Sequence, residues 1–320
     1  MFLRTIIVLA MLAVSPAVWA QGYPGKPVRV IVTFPPGGTP DIYGRVMSVE
    51  LAKLWSQSVV VENRTGAGGT IGTDFVAKAA PDGYTLLFAA DASITIAPHL
   101  YSKLPYDPVR DLAPIVNVTT GPFVLMANPA FAPNNVKELI ALVQTQPGKV
   151  SYASSGAGGQ QHLAMEYIRT MAGSMDMIHV PYKGFGQGIA DVLANQVPLI
   201  FGGITASIQF TRSGKLKALG VTGPKRAKAL PNVPAIAETL PGFDITAWYG
   251  FMAPAGTPRE IVKKIHDDSV AVIKRPDFLE RLDRDGIEPV GNTPEEFAAQ
   301  IKADIAKMGK IVQAAGAKLD

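Results

Sequence analysis

The stretch Val28-Arg-Val-Ile-Val-Thr-Phe34, running into Pro35-Pro-Gly-Gly38 and then Thr39-Pro-Asp41, decides the fold. Its first seven residues are β-branched and almost continuously apolar, the pattern of a strand buried on both faces. Two prolines and two glycines stop that strand abruptly. Ile42, Val46 and Val49 then recur at helical spacing, predicting a helix from about Asp41 to Trp55. Strand, Gly-rich turn and helix in that order build a mostly parallel sheet covered by helices.

The same rhythm continues outward. Residues 58–61 read as a strand, Gly66-Ala-Gly-Gly69 as a turn into a helix ending near Ala80, and Asp82-Gly83 as a turn into a strand over 84–89. Residues 123–126, 150–153, 179–182, 198–201 and 218–221 are further predicted strands. Helices are predicted over 136–143 and 161–171, and from the loop 183–188 to about Ala194. Pro224, Pro231, Pro234 and Pro241 make 224–242 an extended excursion. Thr257-Pro-Arg-Glu260 and Thr293-Pro-Glu-Glu296 each predict a capping box, with Thr at the cap and Glu three residues on. The second opens a helix carrying Phe297, Ile301, Ile305, Met308 and Val312 on one stripe.

Composition narrows the function. At 320 residues the chain exceeds what one core usually serves, so two domains are expected. With 48% hydrophobic and 18% charged residues it is not a disordered chain. Cys is absent, which excludes thiol catalysis, thiolate metal sites and disulfides. The net charge of +4 has basic clusters only at Lys215/Lys217 and at Lys225, Arg226 and Lys228. A nucleic-acid surface needs a longer stripe with interleaved aromatics, so no nucleic-acid partner is expected. At the N-terminus, Arg4 precedes an apolar run over 6–14, Ser15-Pro16 breaks it, and Ala17-Val-Trp-Ala20 offers a small-residue cleavage site. This predicts a signal peptide over 1–20 rather than an anchor, because nine residues cannot span a core of about 30 Å.

Three Gly-rich loops join a strand to a helix: 35–41, 66–72 and 154–162. Such loops leave the first helix amides unpaired at the positive end of the dipole, a setting for an anion. Two of them facing across a cleft would hold a molecule with a negative group at each end, such as a small dicarboxylate. Gly66-Ala-Gly-Gly-Thr-Ile-Gly72 displaces the third glycine of a dinucleotide fingerprint, so no nicotinamide cofactor is expected. His99, His162, His179 and His266 show no metal spacing. Ser155 lacks the Gly-x-Ser-x-Gly elbow, and His162 reads as a hydrogen-bonding support of the loop. Asp91 either caps a turn or meets a ligand ammonium, and Trp248 and Tyr249 either wall a pocket or pack in the core. A secreted α/β hydrolase using Ser155 and His162 stands as the alternative.

Several motifs then occur in one order. They are Pro36-Gly-Gly38 with Asp41, Glu62-Asn-Arg64 with Gly66-Ala-Gly-Gly69, and Pro81-Asp-Gly-Tyr-Thr85. Tyr152-Ala-Ser-Ser-Gly156 with His162-Leu-Ala164, Val180-Pro-Tyr-Lys-Gly184, Leu230-Pro-Asn-Val-Pro234 with Glu238, and Ala253-Pro-Ala-Gly-Thr-Pro258 complete the series. Over nearly all of 22–320 the chain resembles the Bug family, periplasmic solute receptors of tripartite tricarboxylate transporters. The resemblance implies a type II periplasmic-binding-protein fold, α/β, with two lobes joined by two crossover strands and a ligand cleft between them. Lobe one would be 22–122 plus 248–320 and lobe two 123–247, with crossovers near 123–126 and 248–251. It implies a monomeric binding protein, neither enzyme nor metalloprotein and without a cofactor, that closes on a small carboxylate and meets a membrane permease or, alternatively, a sensor kinase. The implied ligand-binding residues are Gly37, Gly38, Thr39, Asp41, Asp91, Ser154, Ser155, Gly158, Gly159, Gln160 and Thr205, with His162 and Tyr182 behind them. Asp91 and Gln160-Gln161 stand where the family more usually has small residues.

Overall fold

The computed structural model describes residues 22–173 and 175–319, so the expected signal peptide over 1–20 lies outside the described residues. Strand β1 (Val28–Val32) is an interior strand, flanked by two others, for the reason its composition suggests. Val28, Val30 and Val32 enter one buried cluster, and Ile31 enters the cluster on the opposite face. Helix α1 (Thr39–Trp55) leads to β2 (Val59–Asn63), and α2 (Thr70–Ala77) leads to β3 (Thr85–Ala90); both strands run parallel to β1. A wide helical turn over Ala92–Ile96 and the short α3 (Ala97–Leu100) follow.

Strand β4 (Leu112–Ala127) then joins two halves of one sheet. The second half comprises α4 (Val136–Thr145), β5 (Ser151–Ser154), α5 (Gln160–Met171), β6 (Ile178–Pro181), α6 (Phe185–Leu193), β7 (Leu199–Gly203), α7 (Ile204–Arg212) and β8 (Lys217–Val221). The chain returns through β9 (Thr246–Pro254) and ends with α8 (Arg259–Ile273), α9 (Pro276–Asp285), β10 (Glu288–Pro289) and α10 (Pro294–Ala315). The strand order is β2-β1-β3-β9-β4-β7-β5-β6, with β8 and β10 also on β4. Residues 112–122 of β4 pair with β9, while Phe123–Ala127 pair with β7 and β8. The strand expected over 123–126 is therefore the end of a much longer one. Its first half escaped the sequence reading because Pro114 and Gly121-Pro122 look like breaks; Pro114 sits where the register shifts, the position a sheet allows proline.

Helix α10 spans both halves. Phe297 and Ile301 pack beside Trp248, whereas Met308, Ile311 and Val312 pack in the cluster of Tyr152, Leu163 and Phe201. Its capping box at Thr293 forms as expected: the Thr293 hydroxyl oxygen accepts from the Glu296 amide at 3.2 Å and the Glu296 carboxylate from the Thr293 amide at 2.9 Å. The box expected at Thr257 does not form. Helix α8 begins after Pro258 without a side-chain cap, and the Thr257 hydroxyl donates to the Pro254 carbonyl at 2.8 Å. That hydroxyl is buried and takes the nearest carbonyl, which turns it away from the helix.

Candidate functional site

Helices α1, α5 and α7 start after Gly38, Gly159 and Gly203, and none has a side-chain cap. Their first-turn amides thus keep the positive end of each dipole open. A β-carbon on Gly203 would lie 4.0 Å from Thr39 Oγ1, so the starts of α1 and α7 face each other across the two sheet halves. Thr39, Gly203 and Tyr249 on β9 stand around one small cavity. Burial, and next the Asp91 carboxylate, hold the Tyr249 hydroxyl above its ordinary range. Asp91, at the end of β3, accepts from Gln160 Nε2, the first residue of α5. Gly203, Thr39 and Tyr249 around that cavity, Asp91 with its amide donating to the Trp248 carbonyl next to Tyr249 at 3.2 Å, and Gln160 bonded to Asp91 form a line that relates three helix starts lying far apart in sequence. Thr205 also lines that cavity, which is water-sized at about 10 Å³ and lies beside Phe123.

Asp41 does not face this line. Its carboxylate accepts from the Gly37 amide at 3.0 Å, from Arg45 Nε at 2.9 Å and from Asn63 Nδ2 at 2.8 Å. Burial pushes its carboxyl up, but the Arg45, Gly37 and Asn63 hydrogen bonds together bring it below the usual carboxylate value. Asp41, expected at the ligand, is held by three protein donors and fastens the loop that carries Gly37, Gly38 and Thr39.

The second loop is fastened from below. Ser154, also expected at the ligand, is fully buried; its Oγ shares a hydrogen bond with His179 Nε2 at 2.7 Å and accepts from the Gly156 amide at 3.1 Å. Ser155 Oγ donates to Gln161 Oε1. The Gly158 amide donates to His162 Nδ1 at 3.1 Å, which fixes that imidazole as neutral on this side. The rings of His162 and His179 stack with centroids 4.0 Å apart, and Tyr152 continues the stack at 5.0 Å from His179. Tyr152 donates to Glu166 at 2.5 Å, and Arg169 pairs with Glu166 at 2.6 Å. Burial holds both imidazoles below their ordinary value, His179 to about 4 with His162 adding to it. Tyr182 supports the loop through its amide, which donates to the Ser154 carbonyl at 2.9 Å, while its hydroxyl donates to Asp191 at 2.6 Å. Gly158 itself has φ of +74°, and a β-carbon there would meet Leu100 at 2.8 Å, so glycine is required.

The remaining expectations sort by geometry. Thr205 sits in the cavity wall, its hydroxyl donating across to the Asp285 carbonyl at 3.1 Å. The loop at Gly66–Gly69 lies apart, with Gly69 packed against Thr33 and Ser93. Ser155 and His162 are not a catalytic pair. The serine is bound to Gln161, and the two imidazole nitrogens face the Gly158 amide and, at 3.7 Å, Glu166. Sequence reading missed the roles of His179, Glu166 and Arg45. In the sequence Asn63 is visible only as part of the Glu62-Asn-Arg64 motif, and Tyr249 reads equally as pocket wall or core.

Open helix starts converging between two halves of a sheet are an arrangement suited to holding an anionic solute. The model for the tripartite tricarboxylate transporter family receptor matches residues 43–317. Protein BugT of Bordetella pertussis is 35% identical over 316 residues, covering 98% of this chain and 96% of BugT. Among solved structures, R. palustris Rpa4515 with adipate superposes with a TM-score of 0.85 at 31% identity, over 93% of this chain and 100% of that one. MatC from Rhodopseudomonas palustris, with bound malate, gives 0.80 at 31% identity, over 91% and 100%. The chain belongs to the tripartite tricarboxylate transporter receptor family, and its α/β fold is that of the periplasmic binding proteins.

Proposed function

We propose that the chain, exported to the periplasm with removal of residues 1–20, captures a small carboxylate between lobe one (22–122 plus 248–320) and lobe two (123–247) and presents the closed form to a tripartite tricarboxylate-type permease. The observation that carries this is the convergence of the uncapped starts of α1, α5 and α7 on Thr39, Tyr249, Asp91 and Gln160. Amide dipoles there suit a carboxylate without a full counter-charge. The adipate and malate carried by the two R. palustris relatives support the class. Closure follows from geometry: amides of α1 lie on one lobe and those of α5 and α7 on the other, so a solute touching all three stabilises the closed form alone. Asp41, His162, His179 and Tyr182 hold the binding loops from behind.

The test is native mass spectrometry of freshly purified protein, with a thermal-shift screen of C4–C6 dicarboxylates, citrate, acidic amino acids and aromatic acids. A stoichiometric, chemically unchanged carboxylate that raises the melting temperature is expected. Gly38→Val gives the residue-level check. Gly38 has extended backbone (φ −75°, ψ 162°), and its nearest neighbour to a new β-carbon is 3.5 Å away, so the variant should fold. Affinity should fall about tenfold or more as the larger side chain blocks approach to the α1 amides; unchanged affinity would remove this loop from the site.

A further inference from the structure

We infer that Asp91 reads a positive group on the solute, so that the preferred ligand is a carboxylic acid bearing an ammonium: an amino acid or related zwitterion. This rests on the cleft being a carboxylate site and sharpens it. Asp91 is 5% exposed and stands at the end of β3, in the line that joins the three helix starts. Its Oδ2 accepts from Gln160 of the facing lobe, while its buried Oδ1 has no hydrogen-bond partner among the described residues. A buried carboxylate oxygen left unmatched is costly. Among the described residues no cation is hydrogen-bonded to it. Lys307 of α10 is the basic group that acts on it, but the Lys307 ammonium is bound to Asp244 at 2.9 Å. Asp304 of α10, which takes the Trp248 indole N–H at 3.1 Å, adds a like charge. Tyr249 on β9 faces the same carboxylate.

A carboxylate brought to the helix starts favours the neutral form of Asp91, whereas a solute carrying its own positive charge favours the ionised form. An ammonium donates to Oδ1 and neutralises the pair in one contact, which a hydroxyl does less strongly. Burial, with Asp304 reinforcing it, lifts the Asp91 carboxyl well above its usual range, so an arriving ammonium restores the ionised form.

Calorimetry at pH 7.5 on the whole mature protein tests this with matched skeletons: succinate, malate and aspartate, and glutarate, 2-hydroxyglutarate and glutamate. In at least one set the amino acid should bind about tenfold tighter than both partners. Asp91→Asn, which keeps the shape and can still meet Gln160, should erase that preference or turn it toward the des-amino acid. No amino-acid preference in either set, a preference for the hydroxy acid in both, or an ammonium preference that survives in Asp91→Asn would each overturn the inference while leaving the carboxylate receptor in place. Should none of the six bind and native mass spectrometry find no carboxylate, both readings fall. If Asp91→Asn does not fold by near-UV circular dichroism, the wild-type ratios alone decide.

Discussion

Single side chains set the two Gly-rich loops. Asp41 ties its loop by three hydrogen bonds, one from a guanidinium. Asp41→Ala should cost about 2 kcal/mol in urea unfolding and weaken solute binding as well, because the loop's partners are left unmatched. The stacked imidazoles give a pH signature. His162 and His179 are held below the ordinary imidazole value of about 6.5, His179 to about 4. The unfolded chain therefore binds more protons than the folded one as pH falls from about 6.5 toward 4, and stability declines over that window. Melting temperature should drop across it, and His179→Gln should flatten the slope; a flat wild-type profile would contradict the neutral stack. The glycines and serines of both loops were legible from sequence, but the residues beneath them were not. His179 lies 25 positions from Ser154 and reaches it only because β5 and β6 pair in parallel.

At the scale of elements, the shared strand and the last helix decide the architecture. Gly250 on β9 is pressed against β4: a β-carbon there would stand 2.4 Å from the Val116 carbonyl oxygen and 3.0 Å from Asn117 Cα. Both neighbours are backbone, which cannot swing aside. Gly250→Ala should destabilise by about 2–3 kcal/mol in denaturant titration, whereas Gly173→Ala at a surface turn, with nothing within 4 Å, should cost less despite its φ of +91°. The capping box of α10 was fully readable, since its residues are adjacent in sequence. Thr293→Ala should cost about 1 kcal/mol. The equally good motif at Thr257 failed because burial near Pro254 redirected its hydroxyl, a competition that no local pattern records.

The whole molecule works through its two crossings. Pro122–Phe123 carries β4 from one half of the sheet to the other, and Thr246 on β9 pairs beside it. Thr205 to Asp285 and Asp91 to Gln160 bridge the halves of the sheet. Helix α10 packs on both halves. Saturating solute should shrink the radius of gyration in solution scattering, and at about 100 times Kd it should stabilise the chain by about 2.7 kcal/mol. A ligand that binds without compaction would argue against capture by closure.

Local patterning by itself determined the α/β class, the strand–loop–helix order, the anion-seeking Gly-rich turns and the absence of thiol chemistry, because each depends on neighbours within a few residues. The motif series determined the family. Only the tertiary structure decided that β4 is one strand serving both halves, that Asp41 and Ser154 face the protein, and that Asp91 and Gln160 meet. Those outcomes depend on which distant atoms compete for each buried donor and acceptor, and that competition exists only once the chain has packed.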